Sequence, residues 1–191
     1  MNEKQKTSDS IGASLIRGAM CVEGMDVIGQ YTAECFDASG KSKWAETFDN
    51  LVTTEGKNHL LNNGLAGPAT AVVASMSLVT SGTPVVGDTY ATHAGFVELG
   101  SGVVATRGTP SFSAAASGTK STSSAVSFSV VGSGTISGAA INVVVGSAGN
   151  IAVVGDTATS GAHLYSAGLF SSSKSVSSGD TLNVTYSTTL T

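Results

Sequence analysis

The chain has 191 residues, of which 41% are hydrophobic and only 12% are charged, so it is long enough for one sizeable domain. Its net charge of −4 argues against a nucleic-acid-binding surface, which would be clustered and basic. The apolar runs are far shorter than the roughly 20 residues of a membrane-spanning helix, and no apolar segment typical of a signal peptide follows the polar start MNEKQKTSDS.

The charged residues are unevenly distributed along the chain. Of the 22 charged side chains, 15 lie in the first 63 residues, and the remaining 128 residues consist mainly of Ser, Gly, Ala, Thr and Val. Such a composition is poorly suited to a freely diffusing enzyme. It favours a β-rich structural module whose surface is covered by neighbouring chains.

The first 29 residues show no regular period. Residues 1–10 are polar, and residues 11–29 have scattered apolar positions interrupted by glycine. We interpret 1–29 as an extended N-terminal arm that makes contacts, and 30–191 as one β domain. Cys21 in the arm and Cys35 beyond it are too few for a disulfide framework, so reduced thiols are expected, with a bridge between them as the alternative.

The region from residue 30 to residue 51 predicts a β-hairpin. Tyr31, Ala33 and Cys35 alternate with Thr32, Glu34 and Phe36, which is typical of a half-buried strand. The DASGK segment at 37–41 predicts a turn, with glycine supplying a positive φ. A return strand is expected over 43–51. Its candidate packing residues are Trp44, Thr47 and Phe48.

One short helix follows the hairpin. Thr54 is its predicted N-cap, and Glu55 lies favourably at the positive end of the helix dipole. Leu60 and Leu61 are the expected apolar stripe, and Gly64 is the expected left-handed C-cap.

Strands and Gly/Ser turns account for the rest of the chain. In 120–131 the residues Val126, Phe128 and Val130 share one face. The last strand is the clearest, because Leu182, Val184, Tyr186, Thr188 and Leu190 alternate with Thr181, Asn183, Thr185, Ser187 and Thr189. Further strands are predicted over 72–79, 94–99 (with 103–107 as an extension), 136–145, 151–154 and 164–170.

The spacing of these strands predicts an all-β fold. Between seven and ten short strands separated by turns indicate an antiparallel β-sandwich, jelly-roll-like, with one short helix and an extended N-terminal arm. A disordered low-complexity tail is the alternative, and the regular alternation of apolar side chains argues against it.

Catalytic and metal-binding patterns are weak. His59, His93 and His163 are widely separated and match no metal-ligand spacing. Three acids recur in Gly-Asp-Thr triplets, at Asp88, Asp156 and Asp180. Calcium ligation or catalysis is one interpretation of the triplets. A turn is favoured, in which the Asp bonds local backbone and no second acid lies nearby.

The aromatic residues do not form a ligand platform in the sequence. They occupy single strand positions, so burial in the core or in an interface is expected for each. The residues concerned are Trp44, Tyr90, Phe96, Tyr165, Phe170 and Tyr186. The sequence therefore predicts no catalytic, cofactor-binding or metal-binding residues and no enzymatic activity.

Three segments together resemble a family of tailed-bacteriophage virion proteins, variously described as head decoration, cement or tail-fibre proteins. They are 31–41 (YTAECFDASGK) continuing into 44–62 (WAETFDNLVTTEGKNHLLN), 87–98 (GDTYATHAGFVE), and 164–170 (LYSAGLF) through 178–186 (SGDTLNVTY) to the end. The sequence departs from the family at 73–78, where small residues replace an aromatic strand.

The resemblance implies a role in the virion. The chain is then expected to be made in the bacterial host cytoplasm, to bind the major capsid protein, and to form homo-oligomers, dimers or trimers, without nucleic acid, membrane or cofactor. Capsid decoration is the favoured role. A tail or fibre component, with binding of host-surface glycans as a variant, is the second, and a depolymerase using Asp88, Asp156 and Asp180 is the third.

Overall fold

The computed structural model describes residues 26–65, 72–146 and 151–191. Within these ranges the chain forms nine strands and one helix, and every strand pair is antiparallel. The predicted all-β antiparallel fold with one short helix is confirmed. The elements are β1 Val27–Phe36, β2 Ser42–Val52, α1 Thr54–Leu65, β3 Val72–Gly82, β4 Phe96–Glu98, β5 Thr119–Ser121, β6 Val126–Ser129, β7 Gly134–Val145, β8 Ala162–Val176 and β9 Thr181–Leu190.

The strands form one sheet that folds over itself. Their order is β4-β3-β7-β8-β2-β1-β9-β5, and β6 pairs with the same strand, β9, as β5. Strand β2 connects the two halves, because its residues 42–49 pair with β1 and its residues 50–52 pair with β8. We call β1, β2, β5, β6 and β9 the front half-sheet, and β3, β4, β7 and β8 the back half-sheet.

The main core lies between the two half-sheets. Tyr31, Ala33 and Cys35 of β1 are all fully buried, as the alternation predicts. Tyr31 stacks on Phe48 with ring centroids 5.2 Å apart, and Phe48 meets Phe170 of β8 edge to face at 4.7 Å. These aromatic contacts join the front half-sheet to the back one.

Strand β9 packs into this core over most of its length. Leu182, Val184 and Tyr186 are buried, whereas Thr188 is partly exposed and Leu190 is 44% exposed, since the strand leaves the core at its end. Val126, Phe128 and Val130 are buried on one face as predicted. The segment 120–131 contributes to two strands, β5 and β6, which pair with successive parts of β9.

The back half-sheet also buries side chains on its outer face. There the loops around Tyr90, Phe96 and Ile151 pack against Val79, Ala140, Val144, Ala162, Leu164 and Ala167 to form a second core cluster. Strand β7 is therefore covered on both faces, which explains why its sequence AAINVVV is nearly continuous in apolar residues.

The helix differs from its prediction at both ends and along its buried side. Thr53 is the N-cap, because its Oγ1 accepts a hydrogen bond from the Gly56 N–H at 3.0 Å. The buried helix residues are Gly56 and His59, while Leu60 and Leu61 are 36% and 48% exposed. The expected apolar stripe was wrong because the helix docks on β8 through its smallest residue. Gly64 lies inside the helix rather than capping it in the left-handed conformation.

Three other local predictions were also wrong. Residues 151–154 form turns rather than a strand, with Ile151 buried and Val153 exposed. Residues 103–107 do not extend a strand and contribute one isolated bridge, from Val104 to Val130. Thr47 lies on the exposed side of β2 rather than in the core. Apolar composition alone misled the first two predictions, because short apolar runs also line buried turns.

The chain enters β1 beside its own C-terminus. Asp26 and Thr191 exchange two backbone hydrogen bonds, and β1 begins at Val27. The predicted arm, residues 1–29, therefore ends inside β1, and its residues 1–25 lie outside the described residues.

Candidate interaction surface

All three Gly-Asp-Thr aspartates bind local backbone, Asp156 by accepting a hydrogen bond from the Ala158 N–H at 3.3 Å. Asp88 accepts hydrogen bonds from the N–H groups of Val85 and Gly95 at 2.9 and 3.1 Å. Asp180 accepts one from the Ser177 N–H at 2.8 Å. The carboxylates of Asp88 and Asp180 are buried, so their geometry is that of the predicted turns.

Asp156, the third aspartate, belongs to a buried ionic cluster. Its Oδ2 accepts hydrogen bonds from the Tyr90 hydroxyl and from Thr159 Oγ1, each at 2.6 Å. The Tyr90 hydroxyl accepts one from Arg107, which also binds Glu98 through two nitrogens at 2.8 and 2.6 Å. The expectation that no second acid lies nearby was wrong for Asp156, because Arg107 bridges Tyr90 to Glu98.

The electrostatics of this cluster favour the charged forms of Arg107 and Asp156 and the protonated Tyr90 hydroxyl. Burial lowers the pKa of Arg107, but its hydrogen bonds to Glu98 outweigh that effect and raise it. Burial raises the pKa of Asp156, but hydrogen bonds from Thr159 and Tyr90 bring it below its usual value. Burial and the bond to Asp156 raise the pKa of the Tyr90 hydroxyl. Each of these pKa values is shifted away from neutral pH, which suits a structural contact between loops rather than proton transfer.

A second ion pair joins β2 to the turn before β9. Lys43 Nζ lies 2.5 Å from Asp180 Oδ2, and the free thiol of Cys35 lies 4.0 Å from the same oxygen. The hydrogen bond from Lys43 lowers the pKa of Asp180, and burial raises the pKa of Cys35. The thiol is therefore held in its protonated, unreactive form.

Two of the histidines, which are far apart in sequence, come together in the fold. The rings of His59 in α1 and His163 in β8 lie 5.1 Å apart, and His163 Nδ1 lies 3.3 Å from Glu55 Oε1. Burial, followed by the neighbouring His163, lowers the pKa of His59. His93 stacks on Phe96 instead, at 4.7 Å.

Among the described residues, no group of three or more His, Cys, Asp or Glu side chains is arranged to hold a metal ion. The aromatic side chains expected to be buried are largely so. Tyr90, Phe96, Tyr165, Phe170 and Tyr186 are each at most 7% exposed, and Trp44 is partly buried against Phe170.

The outer face of the front half-sheet carries mainly polar side chains, with Ile28 and Phe36 of β1 as apolar residues at its two ends. Neighbouring strands bring their hydroxyls together, with Thr32 and Thr47 Oγ1 atoms 2.9 Å apart and Thr119 and Thr189 Oγ1 atoms 2.8 Å apart. We call this the hydroxyl face. It consists of Gln30, Thr32, Glu34, Ala45, Thr47, Asp49, Thr119, Ser121, Ser127, Ser129, Asn183, Thr185, Ser187 and Thr189.

The hydroxyl face is chemically suited to contact another macromolecule. Only Glu34 and Asp49 in it are charged, and a hydroxyl can both donate and accept a hydrogen bond. Short side chains lose little rotamer entropy when they are covered, and their burial avoids the desolvation cost of charges. The prediction that Thr181, Asn183, Thr185, Ser187 and Thr189 lie opposite the core side of β9 is confirmed.

A shallow depression of about 230 Å³ lies at one end of the hydroxyl face. Ile28, Gln30, Asp49, Ser187 and Thr189 line it, and the Gln30 amide donates to Asp49 Oδ1 at 3.3 Å. Sequence reasoning missed this feature because its residues come from three strands whose order in the sheet is not encoded locally.

Comparison with models of known protein families, with curated protein sequences and with solved structures gave no match. No helix within the described ranges has the combination of length and apolar character that a membrane span requires.

Proposed function

We propose that the chain is a non-enzymatic structural protein of a tailed-bacteriophage virion, and specifically a capsid decoration (cement) protein. In this role it binds the major capsid protein and stabilises the head as a symmetric dimer or trimer. The proposal rests on the resemblance of the three segments described above and on one structural observation, the hydroxyl face.

The hydroxyl face supports this role through its composition and extent. It extends across the front half-sheet, from β2 through β1 and β9 to β5 and β6. Its only charged residues are two acids, Glu34 and Asp49. Repeated contacts on a symmetric shell require many copies to pack side by side, and small polar side chains allow this without burying unpaired charge.

The alternative role, a tail or fibre component, draws on the depression at the end of the same face. An amide, a carboxylate and two hydroxyls around a shallow hollow are groups that hydrogen-bond sugars. Binding of host-surface glycans on a glycan array, together with antibody labelling at the tail, would favour this alternative.

Copy number separates the two roles directly. A decoration protein is expected at hundreds of copies per virion on the head. Gel densitometry of purified virions, with immunogold labelling, measures both number and position. A handful of copies located at the tail would contradict the decoration role.

Adding charge to the hydroxyl face tests whether this face contacts other copies of the chain or the capsid. Thr32 and Thr185 are cross-strand neighbours at its centre, so T32K/T185K adds two positive charges there. We expect this variant to unfold at the same temperature as the unmodified chain. Its oligomer fraction, measured by light scattering, or its occupancy on capsids should fall at least tenfold. The matched control is S171K/S173K on exposed positions of β8 in the back half-sheet, and it should behave as the unmodified chain. Equal behaviour of the two variants would exclude the hydroxyl face.

A further inference from the structure

An apolar cleft of about 280 Å³ lies at one end of the sandwich, between the half-sheets and beside helix α1. Its volume lies just below the usual range for ligand pockets, roughly 300–1,000 Å³. Carbon atoms dominate its wall, contributed by Leu60, Ala74, Phe112, Ile141 and Val143.

Both tyrosine hydroxyls in the wall of the cleft have hydrogen-bond partners. The Tyr165 hydroxyl lies 3.1 Å from Thr188 Oγ1, and the Tyr186 hydroxyl accepts a hydrogen bond from Asn50 at 2.9 Å. His59 is kept neutral near pH 7, because burial lowers its pKa. A mostly carbon wall with partnered hydroxyls favours a hydrocarbon over water.

One cation lies at the mouth of the cleft. Lys120 of β5 pairs with Thr188 of β9, and both line the cleft. The Lys120 ammonium lies 5.9 Å from the centre of the Phe112 ring and donates to the Ser113 carbonyl at 3.1 Å. Within the ranges that the structure describes, no carboxylate lies within 4.0 Å of this ammonium. An exposed positive charge therefore stands next to an apolar opening.

We propose that this cleft binds a linear alkyl monocarboxylate, a free fatty acid with a chain on the order of ten carbons. The alkyl chain lies between the half-sheets against Ile141 and Val143, and the carboxylate pairs with Lys120 at the mouth. A single ammonium matches a single carboxylate charge, and the mostly carbon wall deeper inside suits an alkyl chain. This inference does not depend on the proposed role in the virion.

Isothermal titration of the full-length chain with decanoate, below its micelle concentration, tests the proposal. We expect one decanoate per chain. Decanol, which lacks the charge, and decylamine, which reverses it, are each expected to bind at least tenfold more weakly, and hexanoate should bind more weakly because it buries fewer methylenes. Decanol binding as tightly as decanoate would overturn the role of the charge, and failure of decanoate to bind would overturn the proposal.

Single substitutions test whether decanoate binds in this cleft. Lys120→Glu should weaken decanoate at least tenfold, whereas Lys57→Glu, on the exposed side of α1, should leave it unchanged. Ala74→Phe should abolish binding by filling the cleft. Because that variant introduces bulk beside the core, Ala74→Ser serves as a second probe, which should keep the fold and weaken binding. If decanoate binds all four variants with the same affinity, its binding site lies elsewhere and the proposal is wrong.

Discussion

At the scale of single residues, Arg107 shows how a nearly uncharged chain buries an ionic group. Its five N–H donors all have acceptors: both Glu98 oxygens, the Tyr90 hydroxyl, and the carbonyls of Ile151 and Asp156. The side chains of Arg107 and Glu98 are 2% and 7% exposed, so water does little to screen them. This cluster ties the loops covering the back half-sheet to one another.

Loss of the arginine should therefore destabilise the fold strongly. Arg107→Met leaves Glu98 buried without its partner, and breaking a buried pair in this way costs about 3–5 kcal/mol. We expect a fall of that size in the free energy of unfolding, measured with urea. The double variant R107M/E98Q removes the orphaned charge and should recover part of the loss. A decrease below about 1 kcal/mol for Arg107→Met, the usual contribution of a surface pair, would contradict the burial argument.

Acid should weaken the contact between β2 and the turn before β9. The pKa of Asp180 is lowered mainly by the hydrogen bond from Lys43, so its contribution to stability is complete above the unfolded pKa near 3.9 and is lost as the pH falls through the lower folded value. Asp180→Asn should thus be less stable than the unmodified chain at pH 7. The difference in their free energies of unfolding should become smaller below about pH 4. Unfolding curves at several pH values measure this. Glu34→Gln, on the hydroxyl face, is the control. A stability difference between Asp180→Asn and the unmodified chain that does not change with pH would refute the role given to Asp180.

Sequence reasoning at this scale identified local turns but not distant partners. The Gly-Asp-Thr triplets predicted turns correctly at Asp88, Asp156 and Asp180, because each aspartate bonds backbone only a few residues away. The meeting of His59 with His163, and of Tyr90 with Asp156, depends on loops and on strand order. No local pattern encodes those contacts.

At the scale of elements, the buried side of a strand with one covered face was predictable, whereas the helix was predictable in its position but not in its buried side. Strands β1 and β9 have a core side and a solvent side, so the alternation of side chains shows directly in the sequence. Helix α1 docks through Gly56, where a Cβ would lie 2.2 Å from the Tyr165 carbonyl oxygen. Contact through a glycine leaves no apolar stripe to detect.

Close approach between strands β7, β8 and β2 likewise depends on glycine. A Cβ on Gly138 would lie 2.0 Å from the Gly168 carbonyl oxygen, and one on Gly168 would lie 2.6 Å from the Asp49 carbonyl oxygen. These contacts lie where the two half-sheets join through β2.

An alanine at Gly138 should force β7 and β8 apart. We expect Gly138→Ala to destabilise the fold by about 1–3 kcal/mol, the usual cost of overpacking a core. Gly100→Ala is the matched control, because a Cβ there meets nothing within 4 Å, and its stability should be unchanged. Chemical denaturation compares the two. Equal stability of both variants would show that the strands adjust without cost.

At the scale of the whole molecule, the order of the strands was the least predictable feature. Neighbours such as β2 and β8, or β1 and β9, are separated by more than a hundred residues. Their pairing follows from which faces bury side chains together. The sandwich class could be inferred from strand spacing, and the polar sides of β1, β6 and β9 could be read within each strand. The hydroxyl face as one surface could not be predicted, because it depends on the order of the strands.

The division between arm and body is testable with a precise truncation. Removal of residues 1–29 would also remove the paired residues Val27, Ile28 and Gly29 of β1, which face Leu190, Thr189 and Thr188. A chain lacking residues 1–25 keeps these pairs, so we expect it to fold with an unchanged urea midpoint. We propose that the contacts of the arm are made with the capsid, in which case this chain should lose at least tenfold in occupancy on capsids.

The control for this truncation is a chain lacking residues 1–10 only. It keeps the apolar positions of 11–25, including Leu15 and Ile16, and should still bind capsids because apolar side chains carry most of the contact free energy. Occupancy is measured by sedimentation with capsids that lack the protein. Full occupancy by the chain lacking residues 1–25 would assign capsid binding to the β domain, with the hydroxyl face as the next surface to test.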